Sequence, residues 1–141
     1  MKGARVATAL IVALCAGCSH GDDASDPTRF THFELKDATR FPFDPWTQLP
    51  VTARDLRRVE NRTTKQSVAV FSYDRADRLT VPPTCSPTAE VPAPAFRVSW
   101  WPKDIPPRGS ALARYAFYTC ESGRTFLALS VGGSTVYHWR P

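Results

Sequence analysis

Few residues in this chain are equipped to do chemistry, and the cysteines come first. The chain has 141 residues, with 4 Cys and 3 His. Cys15 and Cys18 lie close together near the N-terminus, while Cys85 and Cys120 are far downstream. The histidines are His20, His32 and His138, none with a Ser or Cys motif beside it. The carboxylates of Glu34, Asp37, Asp44, Asp55, Glu60, Asp74, Asp77, Glu90, Asp104 and Glu121 are scattered and form no spaced ligand set. There is no nucleophile elbow, no HExxH and no phosphate loop. Two distant Cys without a nearby His make a poor metal site. The expectation is a protein that is not an enzyme, with no catalytic residue, no metal and no cofactor.

The chemistry left is that of Cys18, and its neighbours suggest what it does. Lys2 and Arg5 precede Val6 to Gly17, an uncharged and mostly apolar run. A positive segment followed by such a run is the pattern of an export signal. Twelve residues make about 18 Å of helix, short of a bilayer core of about 30 Å. Small residues, Ala16 and Gly17, come just before Cys18. Leu14-Cys15-Ala16-Gly17-Cys18 resembles the lipobox of bacterial lipoproteins, although Cys15 stands where that family usually has Leu. The resemblance implies that Cys18 becomes the mature N-terminus and carries a diacylglyceryl thioether, with fatty acids such as palmitate. Ser19, not Asp, follows Cys18, which in Gram-negative lipoproteins resembles the pattern sent on to the outer membrane. The expected partner of this end is therefore the membrane, through lipid on Cys18. Two or more acyl chains anchor stably, whereas one is marginal. The rival reading is an ordinary secretory signal with soluble release.

Export shapes the reading of the rest. Cys85 and Cys120 remain as an even pair in an oxidising compartment, so a disulfide is expected. The alternative is two buried free thiols. The formal net charge is +5, with Lys2 and Arg5 in the leader. The densest basic group is Arg54, Arg57, Arg58, Arg62 and Lys65, but Asp55 and Glu60 are interleaved. That reads as a solvated face, and an exported location argues against nucleic acid as a partner.

The elements that must position these residues are mostly strands. Residues 1–17 read as the signal peptide and 18–28 as the lipidated Cys with a polar, flexible tether. Residues 29–141 read as a single β-rich periplasmic domain. Phe30 to Leu35, Ser67 to Tyr73, Leu112 to Cys120, Arg124 to Val131 and Thr135 to Arg140 carry β-branched and aromatic residues that suit strands. Glu121-Ser-Gly123 and Gly132-Gly133-Ser134 are hairpin breaks. Thr52 to Arg62 is the best helix candidate, with Thr52 as its cap and Leu56 and Val59 as a narrow apolar stripe; a strand over part of it is the alternative. Arg78 to Val81 is a further short strand candidate. Pro82 to Pro107 holds 8 of the 13 prolines, which excludes a long helix. Phe96 to Trp101 is a plausible strand within it. The fold class is mainly β: an antiparallel meander forming a small sandwich or barrel, with at most one short helix.

Aromatics and loops carry the functional expectation. Phe41-Pro-Phe-Asp-Pro-Trp46 cannot be a regular helix or a central strand. It reads as a loop folded over the core or as an exposed recognition segment. Consecutive Trp100 and Trp101 in a strand must point oppositely, and Trp101, with Lys103 and Arg108 near it, has the composition of a binding hot spot. These three are the expected partner-binding residues. Tyr118-Thr119-Cys120-Glu121-Ser122-Gly123 resembles the Y-x-C-x-x-G motif of the membrane-bound C-type lysozyme inhibitors, periplasmic β-barrel lipoproteins that plug a lysozyme active site. Gly109-Ser110 to Tyr115 and Trp101-Pro102-Lys103 loosely resemble that family's later motifs, but here they precede the Cys motif. The expected function is that of an outer-membrane-anchored periplasmic lipoprotein binding another envelope protein without catalysis. One alternative is an inhibitor or immunity protein against a cell-wall hydrolase or toxin. Another is an accessory lipoprotein of a secretion or pilus apparatus.

Overall fold

The computed structural model describes residues 24–39, 44–46, 48–105 and 113–141. Cys18, Phe41, Phe43 and Arg108 lie outside the described residues. The elements are β1 (Phe30–Asp37), β2 (Arg54–Asn61), β3 (Ser67–Ser72), β4 (Cys85–Pro87), β5 (Tyr115–Cys120), β6 (Thr125–Ser130) and β7 (Thr135–Arg140), with a 3-10 turn at Glu121–Gly123. They form one 7-stranded sheet in the order β1-β2-β3-β7-β6-β5-β4, antiparallel at every pairing. The chain lays down β1 to β3 as a meander, leaves the sheet for a long excursion that includes β4, and returns as the β5 to β7 meander. The last strand then docks on β3, with Val68 opposite Trp139 and Phe71 opposite Val136. The β6–β7 turn takes Gly132 to φ +68°, a backbone that L side chains rarely adopt.

Both faces of the sheet are covered, and by coil rather than by helices or a second sheet. On one face Phe30, Val59, Val68, Phe117, Phe126 and Trp139 meet Phe96, Trp101 and Ile105 of the proline-rich excursion. Rings interlock there: Phe30 and Phe96 have centroids 4.8 Å apart, and Trp101 sits 5.7 Å from Trp139 and 5.6 Å from Tyr137. Edge-to-face pairs of this kind add about 0.5–1.5 kcal/mol beyond their buried area. The indole N–H of Trp139 donates to the Pro92 carbonyl at 3.0 Å, and that of Trp101 to the Ile105 carbonyl at 3.3 Å. On the opposite face Leu56, Ala69, Phe71, Leu127 and Val136 meet Ala38, Trp46, Leu49 and Ala53. A proline-rich chain suits this cladding. Its prolines donate nothing to a ladder, but its stiffness lowers the entropy lost when it is laid down.

The two-sided burial explains why Thr52 to Arg62 is β2 and not a helix. Leu56 and Val59 are three apart, as on a helix stripe, yet they point to opposite faces and enter different clusters. Asp55, at φ +54°, stands within the irregular register between Arg54 and Arg57. The basic residues are exposed or half-exposed along this strand, in pairs such as Arg58 with Glu60 and Arg54 with Asp74. Neither Arg78 to Val81 nor Phe96 to Trp101 is a strand; the latter ends in a turn in which the Trp101 N–H donates to the Val98 carbonyl at 3.0 Å. Pro92, Pro94 and Pro102 around it withhold the donors that a ladder would need. Packing also begins earlier than Arg29. Ala24 is buried in the first cluster, its carbonyl accepts from His32 Nε2 at 2.7 Å, and the Asp26 carbonyl accepts the Phe30 N–H at 2.9 Å.

Cys85 and Cys120 are bonded, as their even pairing led one to expect. They face each other directly across β4 and β5, with Cα atoms 4.1 Å apart and Cys120 wholly buried. The bond ties the excursion to the second meander.

Candidate functional site

A hollow on the described surface is built by two loop segments that meet over the second face of the sheet. One is 45–51, leading into β2. The other is 77–84, leading out of β3 toward β4. Trp46 anchors the first: its ring packs edge-on against Phe71 with centroids 5.5 Å apart, and its indole N–H donates to the Thr80 carbonyl of the second segment at 3.1 Å. Leu49 and Pro50 are buried behind it. Asp77 locks the base of the second segment. Its carboxylate accepts the Thr52 N–H at 3.1 Å, the Thr52 hydroxyl at 3.0 Å and the Arg78 N–H at 2.9 Å. The Thr52 backbone bond does most to hold the Asp77 pKa below the ordinary carboxylate value. Pro82 and Pro83 close the far side.

The result is a groove of about 480 Å³ with Trp46, Leu49, Pro50 and the two prolines as its apolar walls. Val51 stands at its rim, 75% exposed, an unusual position for a branched apolar side chain. Arg78 supplies charge at the rim and has no ion pair among the described residues. Such a surface is fit to hold an apolar side chain next to a group that pairs with a guanidinium. Nothing in it resembles a proton-transfer pair: Asp77 is committed to three donors, and no histidine lines the groove.

A second, shallower hollow of about 400 Å³ lies beside β1, lined by Ala24, His32, Glu34, Arg97 and Trp100. His138 is elsewhere, wholly buried on β7 with its pKa pushed down to about 3, chiefly by burial and then by Arg58 and Arg140. Among the described residues no group of three His, Cys, Asp or Glu is placed to hold a metal ion.

Of the three residues expected to bind a partner, Trp101 and Lys103 are described. Trp101 is 5% exposed and part of the aromatic core. The strand alternation that would have turned one of the paired tryptophans outward does not operate, because this segment is a turn, and Trp101 therefore offers no surface to a partner. Lys103 is exposed two residues on, and Arg108 lies outside the described residues. The groove was missed because its walls come from positions about thirty residues apart that no local pattern connects. The signals that existed were Trp46 between prolines and loops, Pro50-Val51, and the Pro82-Pro83 pair. Compared with protein-family models, with curated proteins and with solved structures, the chain gives no match.

Proposed function

We propose that this is a lipid-anchored envelope protein, held at the periplasmic face of the outer membrane through Cys18, whose β domain binds another envelope protein without catalysis. The observation that carries the binding role is the groove between 45–51 and 77–84. Its walls are held in place before any partner arrives, by the Trp46–Thr80 and Asp77–Thr52 bonds and by prolines at its edges. A preorganised wall loses little entropy on binding, and an apolar pocket with a few polar groups is the usual form of a recognition site. Exposed Val51 and Arg78 supply the side chains that a partner would meet first. The lipid on Cys18 would confine the groove to one membrane surface and so to one set of partners. Affinity capture from envelope extract tests the binding role, with the wild-type protein beside Val51→Asp. Val51 is exposed, so the variant keeps the fold. The expected result is a protein retained by the wild type and lost by the variant; identical capture by both would remove the groove from the binding role.

A further inference from the structure

The hollow beside β1 carries two opposite charges that are not spent on each other. Glu34 lines it from the sheet and Arg97 from the proline-rich excursion, and both are exposed. Among the described residues no ion pair joins the two, and Arg97 has none with any other group. The one ion pair of Glu34, to Arg57 at 3.9 Å, joins two exposed ends and is a weak competitor for an incoming cation. Val98 and Trp100 add half-buried apolar surface to the same hollow. Of the four tryptophans, Trp100 alone is not buried. The hollow also borders the place where the chain enters the domain. His32 Nε2 donates to the Ala24 carbonyl at 2.7 Å, which ties Ala24, one of its walls, to β1.

A ligand that suits this hollow carries an anion and a cation close together, with an apolar part beside them. A phosphodiester bearing an aminoethyl arm has that form. The guanidinium of Arg97 matches the single negative charge of a diester, and the Glu34 carboxylate accepts hydrogens from the ammonium. An indole favours a neighbouring cation, and its amphipathic ring suits the level of lipid headgroups. The place of the hollow points to the source of such a group. Only five residues separate Cys18 from Ala24, a span of at most about 20 Å. A lipid on Cys18 would thus hold the hollow within reach of the headgroups around it. We infer that this hollow seats the ethanolamine phosphate headgroup of a membrane phospholipid, with Arg97 on the phosphate, Glu34 on the ammonium, and Val98 and Trp100 beside the glycerol end. The inference rests on the lipid anchor proposed above, and not on the binding role of the groove.

Tryptophan emission tests this, on the full chain with Cys18→Ser, titrated with soluble dihexanoyl forms of phosphatidylethanolamine, phosphatidylcholine and phosphatidylglycerol. Residues 1–17 hold no tryptophan, so contact of that apolar run with lipid is silent. The expected result is a saturable change in emission, absent from Trp100→Phe, that takes several-fold less phosphatidylethanolamine than either other lipid. Arg97→Gln should weaken binding of all three at least about fivefold. Glu34→Gln should erase the advantage of phosphatidylethanolamine and leave phosphatidylcholine binding unchanged. Glycerophosphoethanolamine, the same diester without acyl chains, should bind more weakly than the lipid. The absence of any response, no preference for phosphatidylethanolamine, or a response that Trp100→Phe or Arg97→Gln leaves intact overturns the inference. Glycerophosphoethanolamine binding as tightly as the lipid overturns the membrane as the source. Cys18→Ser carries no acyl chain, so these outcomes are read apart from the anchor, which fatty-acid labelling tests on its own.

Discussion

Trp101 shows how much of this chain's behaviour is decided by single side chains. It lies between Trp139 and Tyr137, with its indole N–H satisfied by the Ile105 carbonyl. Trp101→Ala should cost about 3–5 kcal/mol of stability, the range for deleting a buried aromatic, measured as a lower urea midpoint. A loss under about 1 kcal/mol would contradict its place in the core. His138 sets the acid response. Its folded pKa of about 3 lies below the ordinary value of 6.5, with burial as the main cause. The unfolded chain therefore binds an extra proton between those values. Its contribution to stability is complete above about pH 6.5 and is lost as pH falls toward 3. Between pH 7 and pH 5 the loss should be about 2 kcal/mol. Chemical unfolding at the two pH values reads it directly, and in His138→Phe the difference should largely vanish.

At the scale of elements, the sheet depends on one covalent tie and on coil that behaves as cladding. The disulfide closes a loop of sequence separation 35 between β4 and β5. A loop of that length is worth about 4 kcal/mol in the denatured chain's lost entropy. Comparing the urea midpoints of oxidised and reduced protein measures it, and equal midpoints would show that the excursion is held by packing alone. The strands were legible at β1, β3, β5, β6 and β7, because β-branched and aromatic residues between glycine-bearing turns have few other uses. The sequence of β2 favours a helix over its alternative, a partial strand, for a physical reason. A strand buried on both faces shows apolar residues at both parities, and Leu56 with Val59 mimics a helical stripe. Phe96 to Trp101 was read as a strand for the reverse reason: its composition suits a ladder, but the prolines around it leave too few donors to build one.

For the whole molecule, the open question of place is separable from the question of partner. If Cys18 carries lipid, Cys18→Ala abolishes fatty-acid labelling in living cells and releases the protein from the membrane fraction. Equal labelling of variant and wild type would rule out the lipobox reading and leave the β domain and its groove as they are. Five residues of chain lie between Cys18 and Ala24, the first buried residue of the domain. Even fully extended, that spans only about 20 Å, so a lipid-anchored domain would work close to its membrane.

Composition and spacing were enough to point to the fold class and to a disulfide, with free thiols as its alternative. Strand composition, turn residues and an even cysteine pair are local or countable properties, and they constrain the chain whatever its tertiary arrangement. The order of residues also shows that no metal-ligand spacing or catalytic motif is written in one stretch. Tertiary structure alone decided which aromatics are inside, because burial is a property of what covers a residue, not of the residue: Trp101, a binding candidate by its place beside Lys103 and Arg108, is buried against Trp139 and Tyr137. It alone made the groove, by setting 45–51 against 77–84 through Trp46 and Asp77. And it alone put β1 at one end of the described sheet, since strand order follows from the return of β7 to β3 across the long excursion, a pairing between distant segments that no local pattern records.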